Sequence, residues 1–139
     1  MNFLTNEKTN HNYATNNSKK IRTAVVGCGA ISDIYLTNMI HRFPNLEVTA
    51  CTSRHLESAQ KKAAQYGIRA CSYDEILQDV TIDMVVVLTP APTHYELIRQ
   101  ALLNGKHVYT EKTMHVGLEE AKELIQLSKA KGTSHGCEP

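Results

Sequence analysis

Ile21-Arg22-Thr23-Ala24-Val25-Val26-Gly27-Cys28-Gly29-Ala30-Ile31-Ser32 is the stretch on which the fold turns. Its first half is a β-branched, largely apolar run that stops at glycine, the pattern of a buried strand. Its second half joins that strand to a segment, Ala30–His41, in which Ile31, Ile34, Tyr35, Met39 and Ile40 recur near helical spacing. Pro44 stands just beyond, where a helix has to have ended.

Outward from there the same alternation repeats. Leu46–Thr52 reads as a second strand and Leu56–Tyr66 as a second helix, with Gly67 placed to cap it. Ile68–Cys71 is a short third strand. Ser72-Tyr73-Asp74-Glu75 has the capping-box pattern and opens a short helix, Glu75–Gln78. Ile82–Leu88 is the strongest strand, and its Met84, three valines and Leu88 form an unbroken apolar run, which implies burial on both faces, as in a parallel sheet covered by helices. Thr93-His94-Tyr95-Glu96 is a second capping-box pattern, opening a helix that runs to Leu103 and stops at Asn104-Gly105. Lys106–Thr110 is a fifth strand and Leu118–Lys131 a last helix, acidic at its start and basic at its end, as the helix dipole favours. Gly132–Gly136 begins a sixth strand. Strands alternating with helices in this way predict an α/β fold, a doubly wound parallel sheet with right-handed crossovers.

Gly27-Cys28-Gly29-Ala30-Ile31-Ser32 fits G-x-G-x-x-G/A except at its last position, where serine stands. Between a strand and a helix, with a second strand about 20 residues on, it predicts a dinucleotide-binding turn. Gly27 allows the tight turn, Gly29 lets a pyrophosphate approach the backbone, and the helix start offers N–H donors and a favourable dipole. Ser32 is small enough to keep helix and sheet close, and its hydroxyl is expected toward the phosphates. The plain alternative is a strand-to-helix turn whose glycines serve geometry alone. At the end of the second strand Ala50-Cys51-Thr52-Ser53-Arg54 carries no acid for ribose hydroxyls. Ser53 beside the Arg54 guanidinium suits a 2′-phosphate, so NADP is expected over NAD.

The composition removes several classes of function. Fifteen Lys and Arg against 14 Asp and Glu leave a net charge of +1, without the basic excess of a nucleic-acid binder. No apolar run reaches the ~18–20 residues of a membrane span. Residues 1–19, rich in Asn, Thr and Lys, read as a disordered polar leader rather than a secretory signal, leaving residues 20–139 as one domain. Cys28, Cys51, Cys71 and Cys137 are scattered, so neither a disulfide framework nor a metal site is expected, and the chain reads as cytoplasmic. His107, at the head of a strand, reads as a structural hydrogen-bonding residue; His115 and His135 have no partner at metal-ligand spacing.

Three stretches taken together, the glycine turn, Leu88-Thr89-Pro90-Ala91-Pro92-Thr93-His94 and Gly105-Lys106-His107-Val108-Tyr109-Thr110-Glu111-Lys112-Thr113, carry a more specific signal. From Ile21 to its end the chain resembles the NAD(P)-binding Rossmann domain of the Gfo/Idh/MocA oxidoreductases, the glucose–fructose oxidoreductase and inositol dehydrogenase family. The resemblance implies hydride transfer between a nicotinamide cofactor and a sugar, cyclitol or related polyol. It implies that Thr89, Pro90 and His94 line the cofactor cleft, and that Glu111-Lys112-Thr113 corresponds to the family's Glu-Lys-Pro motif. Glu111 then belongs with the cofactor site, and Lys112 is the catalytic candidate, orienting substrate and handling its proton. Read without the family, Glu111 and Lys112 are an exposed ion pair of little consequence. Two departures stand out: Ala91 replaces a common asparagine, and Thr113 replaces the proline. A cis bond before threonine costs about 2.5–4 kcal/mol, so Lys112–Thr113 is expected to be trans. The family's second domain, which completes the substrate site and mediates oligomers, is not in this sequence. The expectation is therefore a fragment or truncated reading frame, inactive by itself and prone to self-association. The other open reading is a stand-alone dinucleotide-binding or redox-sensing module.

Overall fold

The computed structural model describes residues 19–111 and 117–137. Within them, β1 (Ile21–Val26), β2 (Leu46–Thr52), β3 (Arg69–Ala70), β4 (Met84–Val87), β5 (His107–Thr110) and β6 (His135–Cys137) form one sheet. Its order is β3-β2-β1-β4-β5-β6, with every neighbouring pair parallel. This is the doubly wound Rossmann arrangement, and the order reverses between β1 and β4. The helices are α1 (Ser32–Arg42), α2 (Leu56–Tyr66), α3 (Tyr73–Gln78), α4 (His94–Leu103) and α5 (Leu118–Lys131).

The unbroken apolar runs have the consequence expected of them. Successive side chains of a strand point to opposite faces, and β1 sends Ala24 and Val26 to one core and Val25 to the other. β4 divides in the same way, Val85 and Val87 against Val86. One core is closed by Ile76, Ile98, Leu102 and Leu124 from α3, α4 and α5, and the other by Leu36, Met39, Ala59 and Ala63 from α1 and α2. Large aliphatic side chains buried to this degree stabilise the fold by roughly 1.5–3 kcal/mol each.

The element boundaries differ from the sequence expectation in physically instructive places. α1 begins at Ser32, two residues later than expected, because Ala30 and Ile31 are used by the turn. β3 shrinks to two residues at the sheet's edge, and β4 loses Ile82, Asp83 and Leu88 from its ends. Gly132 does not start a strand. It takes a left-handed conformation (φ 64°) that caps α5, and β6 follows at His135.

Lys106 lies just ahead of β5, buried, and its Nζ donates to the carbonyls of Asp79 (2.5 Å) and Ile82 (2.8 Å). Burial pushes the Lys106 ammonium below its ordinary pKa. His107 behaves as the sequence suggests, its Nδ1 accepting from the Ser134 amide at 3.0 Å. Residues 1–18, most of the expected leader, fall outside the described residues.

Candidate functional site

The carboxyl ends of β1, β2 and β4 meet at the glycine turn. Gly27 N–H donates to Thr52 O (2.9 Å) and Leu88 N–H to Val26 O (2.7 Å), so the turn is held between its neighbours. Gly27 has φ 108°, and a Cβ there would lie 2.9 Å from the Leu88 carbonyl carbon and 3.0 Å from Thr89 N. The fold itself demands glycine at this position. Gly29 is different: its backbone is not left-handed, and a Cβ would find no atom within 4 Å. Nothing among the described residues requires glycine there.

α1 starts beside that open space, and no side chain caps its N-terminus at Ile31. The first amides of a helix have no intrahelical partner, and they favour an anion. Ala30 is exposed at this mouth, while Ile31 packs on the α1–α2 core. Ser32 corrects an expectation. Its side chain is buried and its Oγ donates to Gly29 O at 2.6 Å, so the hydroxyl braces the turn instead of facing the phosphates. Asp33, in the first turn of α1, would repel an anion if left alone. Its carboxylate is held by Lys62 Nζ (2.5 Å) and Tyr66 OH (2.8 Å), which keep it below the usual carboxylate range.

A cleft opens over these strand ends. One chamber, of about 410 Å³, has Gly27, Cys28 and Gly29 on one side and Ser53 and Arg54 on another. Leu88, Thr89, Pro90 and Glu111 close it. A second chamber, of about 360 Å³, shares Ser53, Arg54 and Thr89 with the first and is lined further by Val26, Thr52, Ser72, Tyr73, Thr93 and Leu97. Sequence reasoning missed Tyr73, Thr93 and Leu97 as lining residues. Tyr73 OH donates to Leu97 O at 2.5 Å, a link between two helices that no sequence spacing signals.

The loop after β4 departs from expectation at two residues. Thr93 does not form a capping box: its Oγ1 lies 2.7 Å from both Thr89 Oγ1 and the Pro90 carbonyl, in a 3-10 turn at Ala91–Thr93. Glu96 instead accepts from Gln100 Nε2. His94 is buried to 1% exposure, with Nε2 donating to Thr89 O at 2.6 Å, so it stands behind the loop rather than in the cleft. Thr89 and Pro90 are on the cleft wall as expected. Lys112, Thr113 and His115 fall outside the described residues.

Among the described residues no cluster of His, Cys, Asp and Glu could hold a metal ion, and no helix is long and apolar enough to cross a membrane. The turn does fit a dinucleotide. The volume that a Cβ at Gly29 would fill is open, no side chain caps the helix that starts beside it, and Arg54 lines the same cleft, exposed.

A six-stranded parallel sheet with this turn at its switch point defines a nucleotide-binding Rossmann domain. Residues 21–136 match the family model described as "Oxidoreductase family, NAD-binding Rossmann fold", and the chain belongs to that family, Gfo/Idh/MocA. An uncharacterised oxidoreductase of Schizosaccharomyces pombe is 37% identical over 115 residues, 80% of this chain and 31% of that protein. The scyllo-inositol 2-dehydrogenase (NAD(+)) of Bacillus subtilis is 31% identical over 115 residues, 81% of this chain and 34% of that protein. Among solved structures, a 3-ketoreductase from Actinomadura kijaniata in complex with NADP and TDP-benzene superimposes with a TM-score of 0.77 at 32% identity. That match covers 83% of this chain and 36% of the reductase. The chain thus spans about a third of the length of the relatives it matches. It is a nucleotide-binding domain of the Gfo/Idh/MocA type, and these relatives give no support to a stand-alone sensing module.

Proposed function

We propose that this chain binds a nicotinamide dinucleotide across Gly27–Ser32, NADP in preference to NAD, as the cofactor half of an enzyme acting on a sugar, cyclitol or related polyol. The contrast between Gly27 and Gly29 carries the proposal. One glycine is forced by the backbone of Leu88 and Thr89, and the other meets nothing among the described residues, which leaves its surface open to a bound group.

The pyrophosphate sits over Gly29 and Ala30, against the amides that open α1. Cys28 lines that wall, and Ser32 stiffens the turn through Gly29 O. Ser53 and Arg54 meet the adenosine ribose, where a guanidinium binds a 2′-phosphate as a charge-assisted fork. Thr89 and Pro90 form the opposite wall, and His94 positions Thr89 from behind. Glu111 marks the end of the cleft toward the reacting ring. When bound, the cofactor supplies or accepts a hydride; Lys112 is the residue we assign to orienting the substrate hydroxyl and exchanging its proton. The relatives' names support the substrate class: scyllo-inositol for the Bacillus subtilis protein, and dTDP-3,4-didehydro-2,6-dideoxy-alpha-D-glucose for a 3-reductase of Actinomadura kijaniata. Free thiols suit a reducing, cytoplasmic setting, and a homo-oligomer is the expected assembly.

The test is calorimetric titration of the 139-residue chain with NADPH and NADH, beside Gly29→Val. The wild type binds, NADPH more tightly, and the variant keeps its far-UV CD spectrum but binds neither. Equal binding by both proteins removes the turn from the site.

A further inference from the structure

We propose that Lys62 and Tyr66, both from α2, are positioning residues for the dinucleotide: by holding the Asp33 carboxylate they offset the acidic charge in the first turn of the helix that faces the pyrophosphate. The role rests on the dinucleotide assignment proposed above. It concerns the part of the cofactor that NADPH and NADH share.

Asp33 is the second residue of α1 and the acid of its first turn. A carboxylate there suits an empty helix end, because it lies at the positive end of the dipole. To an anion arriving at the same end it is a competitor of like charge. The counterweight comes from another element. Residues 62 and 66 are four apart in α2 and share one face of it. That face meets α1: Lys62 Nζ donates to Asp33 Oδ1 at 2.5 Å, and Tyr66 OH donates to the same oxygen at 2.8 Å.

Both donors are held in place. The Tyr66 ring packs on the α1–α2 core, and Thr37 Oγ1, one turn further along α1, lies 3.4 Å from its hydroxyl. The Lys62 side chain is only 15% exposed, against 44% for Asp33. The ammonium is thus partly withdrawn from the solvent that makes most surface ion pairs inconsequential. The carboxylate turns toward α2, away from the open space at Gly29, and the pair carries no net charge toward the cleft. Lys62 therefore acts on the cofactor through Asp33. Its removal leaves one uncompensated negative charge in the first turn of α1, and removal of Asp33 leaves one free positive charge beside it.

A charge cycle tests this. The 139-residue chain, Lys62→Met, Asp33→Asn and the double variant are each titrated calorimetrically with NADPH and with NADH, at low and at high salt. Lys62→Met should weaken both cofactors by the same factor, about two- to fivefold, and the loss should shrink as salt is raised. Asp33→Asn should tighten both, and the double variant should return to the wild-type affinity. Should Lys62→Met not fold, the tightening in Asp33→Asn decides alone. Affinity unchanged in both single variants overturns the proposal. A loss in Lys62→Met that Asp33→Asn does not rescue also overturns it, because Lys62 is then only a structural support. A loss confined to NADPH places Lys62 with the 2′-phosphate and overturns it too. In each of those cases the wild type still binds; a wild type that binds neither cofactor instead overturns the dinucleotide assignment, and the role of Lys62 with it.

Discussion

At the scale of single residues, Gly27 and Gly29 look alike in the sequence and do unlike work. Gly27→Ala puts a Cβ against the Leu88 backbone on a left-handed residue, and strain of that kind costs about 1–3 kcal/mol. Gly29→Ala meets no atom of the described residues and should leave stability within about 0.5 kcal/mol. Urea unfolding of the two variants separates them; equal destabilisation means that the turn differs from the one described. Arg54 sets the second prediction at this scale. A hydrogen bond to a charged group is worth about 1.5–3 kcal/mol, so Arg54→Ala should lower NADPH affinity roughly ten- to a hundredfold and leave NADH nearly unchanged. Titration showing NADH preferred by the wild type contradicts the role given to Arg54. Gly27 was legible because backbone crowding declares itself by residue type, and Arg54 because its place after β2 puts it on the cleft wall. Ser32 and His94 were not. A hydroxyl or an imidazole takes whichever partner the tertiary fold brings near, here Gly29 O and Thr89 O.

At the scale of elements, the two capping-box patterns separate local from tertiary control. Ser72 and Glu75 exchange both bonds of the box and open α3 as the sequence indicates. At Thr93 the same pattern loses to Thr89 and the Pro90 carbonyl, because two prolines hold the loop in a 3-10 turn before α4. The turn after α3 carries a pH prediction. Asp79 sits at about 2 rather than 3.8, chiefly because Thr81 Oγ1 and the Thr81 amide donate to its carboxylate, with Arg69 adding to them. An acid depressed in the folded state contributes stability that is present above its unfolded pKa and lost as pH falls through the folded one. Wild-type stability should therefore fall between pH 3.8 and about 2, and Asp79→Asn should flatten that step in urea unfolding at the two limits. Lys106 holds the same turn from beneath, and Lys106→Met should cost about 1–3 kcal/mol by leaving the Ile82 carbonyl without its donor. A neutral or stabilised variant would show that burying the ammonium costs as much as its bonds return.

At the scale of the whole molecule, the alternation of strands and helices made the architecture legible before any coordinate. The β-branched runs of β1 and β4 are apolar on both faces, so they have to lie at the centre with helices on either side. The second chamber of the cleft was not legible, since Tyr73 and Leu97 come from separate helices and meet only once the sheet is wound. The chain spans about a third of the length of its relatives, and the function proposed above gives it only the cofactor half of an active site. Hydride transfer needs the reacting carbon held in near-attack geometry, worth perhaps 7–11 kcal/mol of barrier. We therefore expect no turnover by this chain with NADP or NAD across sugars, inositols and sugar acids, followed by absorbance of the reduced cofactor. Steady turnover would mean that a second copy completes the site. The central claim is a dinucleotide lying across the carboxyl ends of β1, β2 and β4, and a ¹H–¹⁵N chemical-shift titration of the chain with NADPH tests it most directly. The account predicts that the largest shifts fall on the amides of Cys28 to Ser32, Ser53, Arg54 and Thr89. Shifts gathered instead on α4 and α5, where Arg99 Nε donates to Glu123 Oε1 at 3.0 Å beside a groove between the two helices, with the glycine turn unmoved, would contradict it.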